Sequence, residues 1–391
     1  MHRASRHSAP DAGSATPAGP STDSVARPWS PEAELGDLVE STLPELLAAE
    51  AEASLPTEPG DRTPSGHRRG MVLGARIAVS VGMLGVLYWQ MPDFDWSALL
   101  PRWSSRTAGL LSAALALTLL ALVLSAVRWY QVLRALGLRS RLRRLVPLSF
   151  AGQFVSNVLP TTVGGDVLRV SRLSKENGDP AGTFASVVLE RLTGWLVLPL
   201  ITLFGLAVNP GLRDLGRATV LAVVTAGATL VALAVVLLLA DSPRVGGRFG
   251  TSGGWTRFVA AVHTGVTRMR RRPLSAAAVL AVGIVYQVVL CLAALMAAAA
   301  LGIGDMGLTP LLAFFPAVLI AQVLPIGIAG LGIREAAFVV FLTPLGVPAE
   351  QAVALGLMLY LLNLAVGLAG VPTFAVGGRT TATAPMTATP P

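Results

Sequence analysis

Few side chains in this sequence could do chemistry, and they share a setting: charged or amide groups beside glycine and proline, next to apolar runs. Asp166 and Arg169 close the stretch LPTTVGGDVLR (159–169), with Gly164 and Gly165 immediately before them. Arg334 closes a second stretch, LPIGIAGLGIR (324–334), and Glu335 follows it. Glu190 and Arg191 adjoin one another early in another apolar run, and Gln153 and Asn157 interrupt the run before the first stretch. Arginine pairs bidentately with phosphate and carboxylate, and the free N–H groups at a broken helix end favour an anion. Asp166 and Arg169, three apart, share a face if their segment is helical. Such an ion pair either opens when an anionic group competes for the arginine or is a static pair holding the segment. Asn157 and Gln153 either contact phosphate or satisfy carbonyls loosened at a helix break. No metal chemistry is expected. His2, His7 and His67 fall in a polar tail, His263 in a basic loop and Cys291 inside an apolar run, with no HExxH or paired CxxC.

The elements that position these groups follow from composition. Of 391 residues, 53% are hydrophobic and 13% charged, and the mean hydropathy is +0.64. Soluble domains carry about a quarter charged residues, so a cytosolic globular protein is excluded. The apolar runs are Met71–Met91, Ala108–Tyr130, Leu145–Pro160, Thr183–Val208, Ala218–Ala240, Leu274–Leu301, Thr309–Ile328, Ile333–Leu345 and Ala349–Val376. Several are long enough to cross a bilayer, which takes about 20 apolar residues. Ionisable groups inside such spans cost at least a few kcal/mol, which makes each one a functional candidate. The fold class expected is an all-α polytopic membrane protein with about six full spans and two re-entrant or broken segments. Residues 1–70 read as a disordered acidic cytoplasmic tail, residues 71–377 as the membrane domain and residues 378–391 as a disordered C-terminal tail. Within the first tail, Pro31–Leu55 is acidic and loosely helical in spacing, interrupted by Pro44.

Charge sets the topology. Residues 1–70 hold 6 basic and 11 acidic residues, residues 71–391 hold 24 and 11, and Lys175 is the only lysine. The arginine bias, with abundant Ala, Gly and Pro, points to a GC-rich genome. Loop 131–144 carries five arginines and loop 241–272 seven against one aspartate, whereas the other loops are near neutral. Both basic loops belong on the cytoplasmic side, as do both termini, and Met71–Met91 reads as an uncleaved signal anchor. The run Arg268–Arg272 should rest on anionic lipid. The basic balance serves membrane orientation, and no nucleic-acid partner is expected. For both basic loops to lie inside, Leu145–Pro160 must enter and return on one side. The stretches 159–169 and 324–334 then enter from opposite sides, as an inverted repeat matching Ala108–Val208 with Leu274–Val376. Paired broken segments in inverted halves point to a transporter's midplane site. Glu190 and Arg191 should point apart, one to a cavity and the other to headgroups. Arg128 and Trp129 read as an interfacial anchor, and Tyr286, Gln287 and Asn363 as helix–helix hydrogen-bonding groups.

Three stretches occurring in order, SFAGQFVSNVLPTTVGGDVLRVSRL, SVVLERLTGWLVLPL and VLPIGIAGLGIREAAF, resemble the lysylphosphatidylglycerol synthase transmembrane family, whose members are also described as flippase-like. The resemblance covers roughly Met71–Val376; Ala329 stands where the family commonly has a glycine. It implies movement of a lipid or lipid-linked precursor between leaflets. In the full-length synthases a C-terminal soluble domain transfers the amino acid, and the residues after Val376 offer no counterpart. The expectation is therefore a non-enzymatic, cofactor-free lipid transporter of the bacterial plasma membrane whose partner is a membrane phospholipid. Its substrate site would comprise Asn157, Gly164, Gly165, Asp166, Arg169, Glu190, Arg191, Arg334 and Glu335. Two other readings stand beside it: a membrane-embedded lipid transferase with Asp166 as base, and a subunit that docks a separate lipid-modifying enzyme through the acidic tail.

Overall fold

The structure, a computed structural model, describes residues 101–158, 164–241, 255–304, 306–322, 330 and 332–376. The expected span Met71–Met91, both tails, and the stretches around Pro160 and Pro325 lie outside the described residues. Among those described, all regular structure is helical: α1 (Ser105–Ala135), α2 (Leu142–Val158), α3 (Gly164–Asn177), α4 (Pro180–Val208), α5 (Arg217–Asp241), α6 (Trp255–Arg270), α7 (Pro273–Ala300), α8 (Leu308–Gln322), α9 (Ile333–Leu342), α10 (Ala349–Leu368) and α11 (Val371–Val376). Five of them, α1, α4, α5, α7 and α10, are long and apolar enough to span a bilayer. The chain is an all-α, multi-pass membrane protein.

Local sequence explains the helix starts. Ser104 caps α1, its Oγ accepting from the Thr107 N–H at 3.1 Å. Asp179 caps α4 through the Gly182 N–H at 2.8 Å, with Pro180 in the first helical position, where its missing N–H costs nothing. α5 carries apolar side chains all round and leaves Val220, Val224, Val231 and Leu238 exposed, as a lipid-facing helix should. The pairing of α1 with α7 is the most extensive in the bundle. Ala114 joins Ala294, Ala297 and Ala298 in one buried cluster, and small side chains let the backbones come close.

Contacts between helices come in corresponding pairs. α1 packs on α2 as α7 packs on α8; α2 on α3 as α8 on α9; α3 on α4 as α9 on α10. Across the halves, α4 packs on α8 as α10 packs on α2. A shift of 165 residues, the interval from Pro160 to Pro325, carries α2 onto α8 within a residue at either end. The same shift carries Gly205 onto Gly370, and both mark a close approach. A Cβ on Gly205 would lie 2.5 Å from the Ala313 nitrogen of α8, and one on Gly370 would lie 2.1 Å from the Phe150 oxygen of α2.

Both basic segments meet at one end of the bundle. Arg268 donates to the Leu136 carbonyl at 2.8 Å and Arg272 to the Arg134 carbonyl at 3.1 Å. Carbonyls left over at the C-terminus of α1 thereby gain cationic donors. At that same end Val132 and Leu136 of α1 pack with Ala185 and Leu189 of α4 and Val279 of α7.

Two expectations need correction. Loop 241–272 contains α6, which includes His263; its period of apolar residues, strongly one-sided, had been masked by the arginines. The run Ala349–Val376 is two helices, because α10 stops at Leu368 and the turn at Ala369-Gly370 redirects the chain into α11.

Candidate functional site

Four of the expected site residues converge in the first half. α3 begins at Gly164, and its first two turns carry Asp166 and Arg169 on one face, linked at 3.3 Å. Gly165 lets α3 touch α2: a Cβ there would lie 2.2 Å from the Gly152 oxygen. Gly152 in turn leaves room for the Arg169 stem, which would meet a Cβ on it at 3.2 Å. The Arg169 guanidinium then lies 4.0 Å from the centre of the Trp129 ring, while the Trp129 Nε1–H donates to Ser186 Oγ at 3.0 Å. A ring held by its own hydrogen bond gives the cation a fixed face.

Glu190 ties the cluster together. Its Oε2 accepts from Arg169 Nη1 at 3.0 Å, and its Oε1 accepts from Arg128 Nη2 at 2.5 Å and Nε at 3.2 Å. Ser125 Oγ adds a donor at 3.3 Å. Asp166 Oδ2 accepts from Arg191 Nε. Arg128 fits because Gly194 has no side chain: a Cβ there would lie 3.0 Å from Arg128 Nη1. The face of Tyr286 lies 5.0 Å from the Arg128 guanidinium carbon. Arg128, Asp166, Arg169 and Glu190 are buried, whereas the Arg191 side chain is 45% exposed. Burying such charges is tolerable only where each finds partners.

The partnership is incomplete. Three guanidiniums face two carboxylates, leaving one surplus positive charge. Nε and Nη2 of Arg169, a residue 8% exposed, are buried without a hydrogen-bond partner. Buried guanidinium donors without acceptors are costly, and the natural complement is an additional anionic oxygen.

The expected neighbours Glu190 and Arg191 do diverge as adjacent helical residues must, yet both return to the same cluster through different α3 partners. Gly164 and Gly165 open the helix that carries it, whereas Asn157, Arg334 and Glu335 stand apart from it. Asn157 donates its Nδ2 to the Asn363 carbonyl at 3.1 Å, and Gln153 Nε2 bridges Asn157 Oδ1 and Asn363 Oδ1 at 3.1 and 3.2 Å. These amides join α2 to α10. Arg334 pairs with Glu335 at 2.7 Å, and Glu335 Oε2 accepts the Gly332 N–H at 2.6 Å. Gly330 and Gly332 hold φ of 75° and 86°, a region other residues avoid, so the chain turns into α9 with Glu335 closing its first turn.

Arg128 and Trp129 correct the expectation of an interfacial anchor. Val132, Leu133 and Ala135 continue the buried helix beyond them, and α1 ends only at Ala135. Seven residues of helix is about 10 Å, enough to move Arg128 well inside the bundle. That continuation, together with Ser125 and Ser186 at helical spacing from Trp129 and Glu190, was the available signal.

Fold and site together define a multi-pass helical membrane protein with a buried, net-positive charge cluster formed by α1, α3 and α4. The chain belongs to the family described as the lysylphosphatidylglycerol synthase TM region, which it matches over residues 72–370. Comparison with curated proteins finds no match. Family membership makes a membrane-lipid-related function the ground on which the site is interpreted.

Proposed function

We propose that the protein is a flippase-type transporter that moves an anionic or aminoacylated phospholipid, or a lipid-linked precursor, between leaflets of a bacterial plasma membrane. The observation that carries this reading is the pair of buried, unpartnered donors on Arg169 within a cluster of surplus positive charge. A lipid phosphate reaching Arg169 would accept from both donors, and the Glu190 and Asp166 contacts would loosen as it did so. The tails would stay in lipid while the headgroup crossed a polar path, which suits an amphiphile and not a free metabolite. Both Asp166 oxygens accept from arginines, a setting that disfavours its use as a base and weighs for transport over lipid transfer.

The corresponding helix contacts of the two halves support an inverted repeat on the same reading. α1 ends where α4 begins, so α2 and α3 leave and return at the basic end; the ends of α7 (Leu301) and α10 (Val347, Ala352) share the opposite cluster. On this reading the α2–α3 and α8–α9 pairs are the two broken segments, entered from opposite sides. The basic end is cytoplasmic on this reading.

The test is leaflet exchange of labelled lipids in proteoliposomes at matched densities of folded protein. Wild type should exchange phosphatidylglycerol faster than phosphatidylcholine, and Arg169→Ala should lose that preference while Arg169→Lys keeps part of it. Exchange equal to that of empty vesicles across a broad lipid panel would sink the proposal.

A further inference from the structure

A second arginine-rich feature lies outside the buried cluster. Arg139 and Arg141 from the turn between α1 and α2, with Arg143 and Arg144 from the start of α2, line an open cavity of about 480 Å³ together with Glu176 and Asn177 from the end of α3. Only Arg144 is neutralised: its Nε and Nη2 both reach Glu176 Oε1, at 2.8 and 2.5 Å. The side chains of Arg139, Arg141 and Arg143 have no ion-pair or hydrogen-bond partner among the described residues. The Asn177 side-chain nitrogen, on the same wall, is buried and unpartnered. Arg143 and Arg144 also occupy the first turn of α2, which holds no acidic residue, although that end of a helix favours negative charge.

Positive-inside sorting accounts for arginines near a membrane face, but an extended surface suffices for that. Here the like charges converge on a concavity, where their mutual repulsion falls only if an anion enters. Guanidiniums in a fork geometry, with an amide donor beside them, match the several oxygens of a phosphate group. Glu176 lies seven residues along α3 from Arg169, a rise of about 10 Å, so the cavity and the buried cluster are separate stations on one helix. We propose that this cavity is a phosphate-binding site distinct from the Arg169 cluster, taking a phosphate-bearing anion from a lipid headgroup or from solution. It stands whether or not the protein moves lipid.

The full chain in phosphatidylcholine nanodiscs, where both faces are accessible, gives the test. One arm titrates inorganic pyrophosphate by calorimetry at low salt. The other replaces part of the phosphatidylcholine with phosphatidylglycerol and counts the lipids retained per chain by native mass spectrometry. The double variant Arg141→Gln/Arg143→Gln should weaken binding by about tenfold or more in whichever arm wild type responds, the scale of a lost charge-assisted bond. Asn177→Leu, which leaves every arginine in place, should weaken it less. Arg169→Ala should leave pyrophosphate binding unchanged, and in the lipid arm any loss it causes should add to that of the double variant, which separates this site from the transport reading. Binding of pyrophosphate identifies phosphate alone as sufficient; retention of phosphatidylglycerol without it identifies the lipid as the source. Wild-type binding in neither arm, a folded double variant that binds like wild type, or loss only in Arg169→Ala would overturn the proposal.

Discussion

Arg169 and Arg334 occupy matching positions in the two halves, 165 residues apart, and their surroundings differ in kind. Arg169 reaches two carboxylates on two helices and keeps Nε and Nη2 unpartnered. Arg334 spends its Nε and Nη2 on its own neighbour Glu335, at 3.1 and 2.7 Å, with Tyr360 at 5.2 Å. The shift that matches these arginines sets Ala293 against Arg128, Leu331 against Asp166, Leu355 against Glu190 and Gly356 against Arg191. Gly356 matters physically: a Cβ there would lie 3.2 Å from the Glu335 carboxylate oxygen, so the space given to charge in one half holds the capping carboxylate in the other. The architecture is shared while the electrostatics is not. One half carries a cross-helix cluster with spare donors, the other a self-contained pair that finishes a helix.

That contrast can be broken most forcefully at Glu190. Glu190→Ala strands Arg128 in the interior, leaves Arg169 with Asp166 alone, and should destabilise the protein by about 3–5 kcal/mol, read by thermal unfolding in detergent. Glu335→Ala strands one arginine and should fall at the low end of the same range. Equal effects would show that the two carboxylates have the same structural weight. Next comes Arg169→Ala in the leaflet-exchange assay, where loss of charge-assisted bonds should cut headgroup-selective exchange about 10- to 100-fold. Arg334→Ala, compared at equal amounts of folded protein, should preserve that selectivity; an equal loss would make the halves equivalent in function. The shared architecture is tested by Gly205→Ala and Gly370→Ala. Each forces a methyl against backbone of the opposite half and should cost about 1–3 kcal/mol in unfolding experiments, with similar values for the two. A large effect at one and none at the other would argue against a common packing plan.

The membrane class and most helix positions were legible because lipid imposes length and apolarity on whole segments. α1, α4, α5 and α7 fall where continuous apolar runs place them. The Asp166–Arg169 pair was legible because three-residue spacing fixes a shared face. Its completion was not: Arg128 lies 62 residues from Glu190, and nothing local tells an arginine that anchors at a surface from one whose helix runs on past it. Asn157 misled for the complementary reason. An amide beside a helix break suits a ligand or a neighbouring helix equally well, and Asn363 lies 206 residues away. α6 was hidden because its arginines set the local composition while its amphipathic period is visible only when positions are read every three to four residues.

The smallest effect should come from Arg191, the half-exposed edge of the cluster, whose counterpart Gly356 has no charge at all. Arg191→Ala leaves Asp166 with Arg169 and leaves both Glu190 contacts intact. Its ion pair is partly solvent-accessible, so the loss in unfolding free energy should stay near 0.2–1 kcal/mol, roughly the range of exposed pairs. The same substitution brings the cluster from surplus positive to balanced charge. If surplus charge draws the headgroup in, the preference for anionic over zwitterionic lipid should weaken in the exchange assay although the fold is nearly untouched. A stability loss on the scale of Glu190→Ala would instead make Arg191 part of the buried frame. The distinction between frame and lure, which separates the first half from the second, would then not run through this residue.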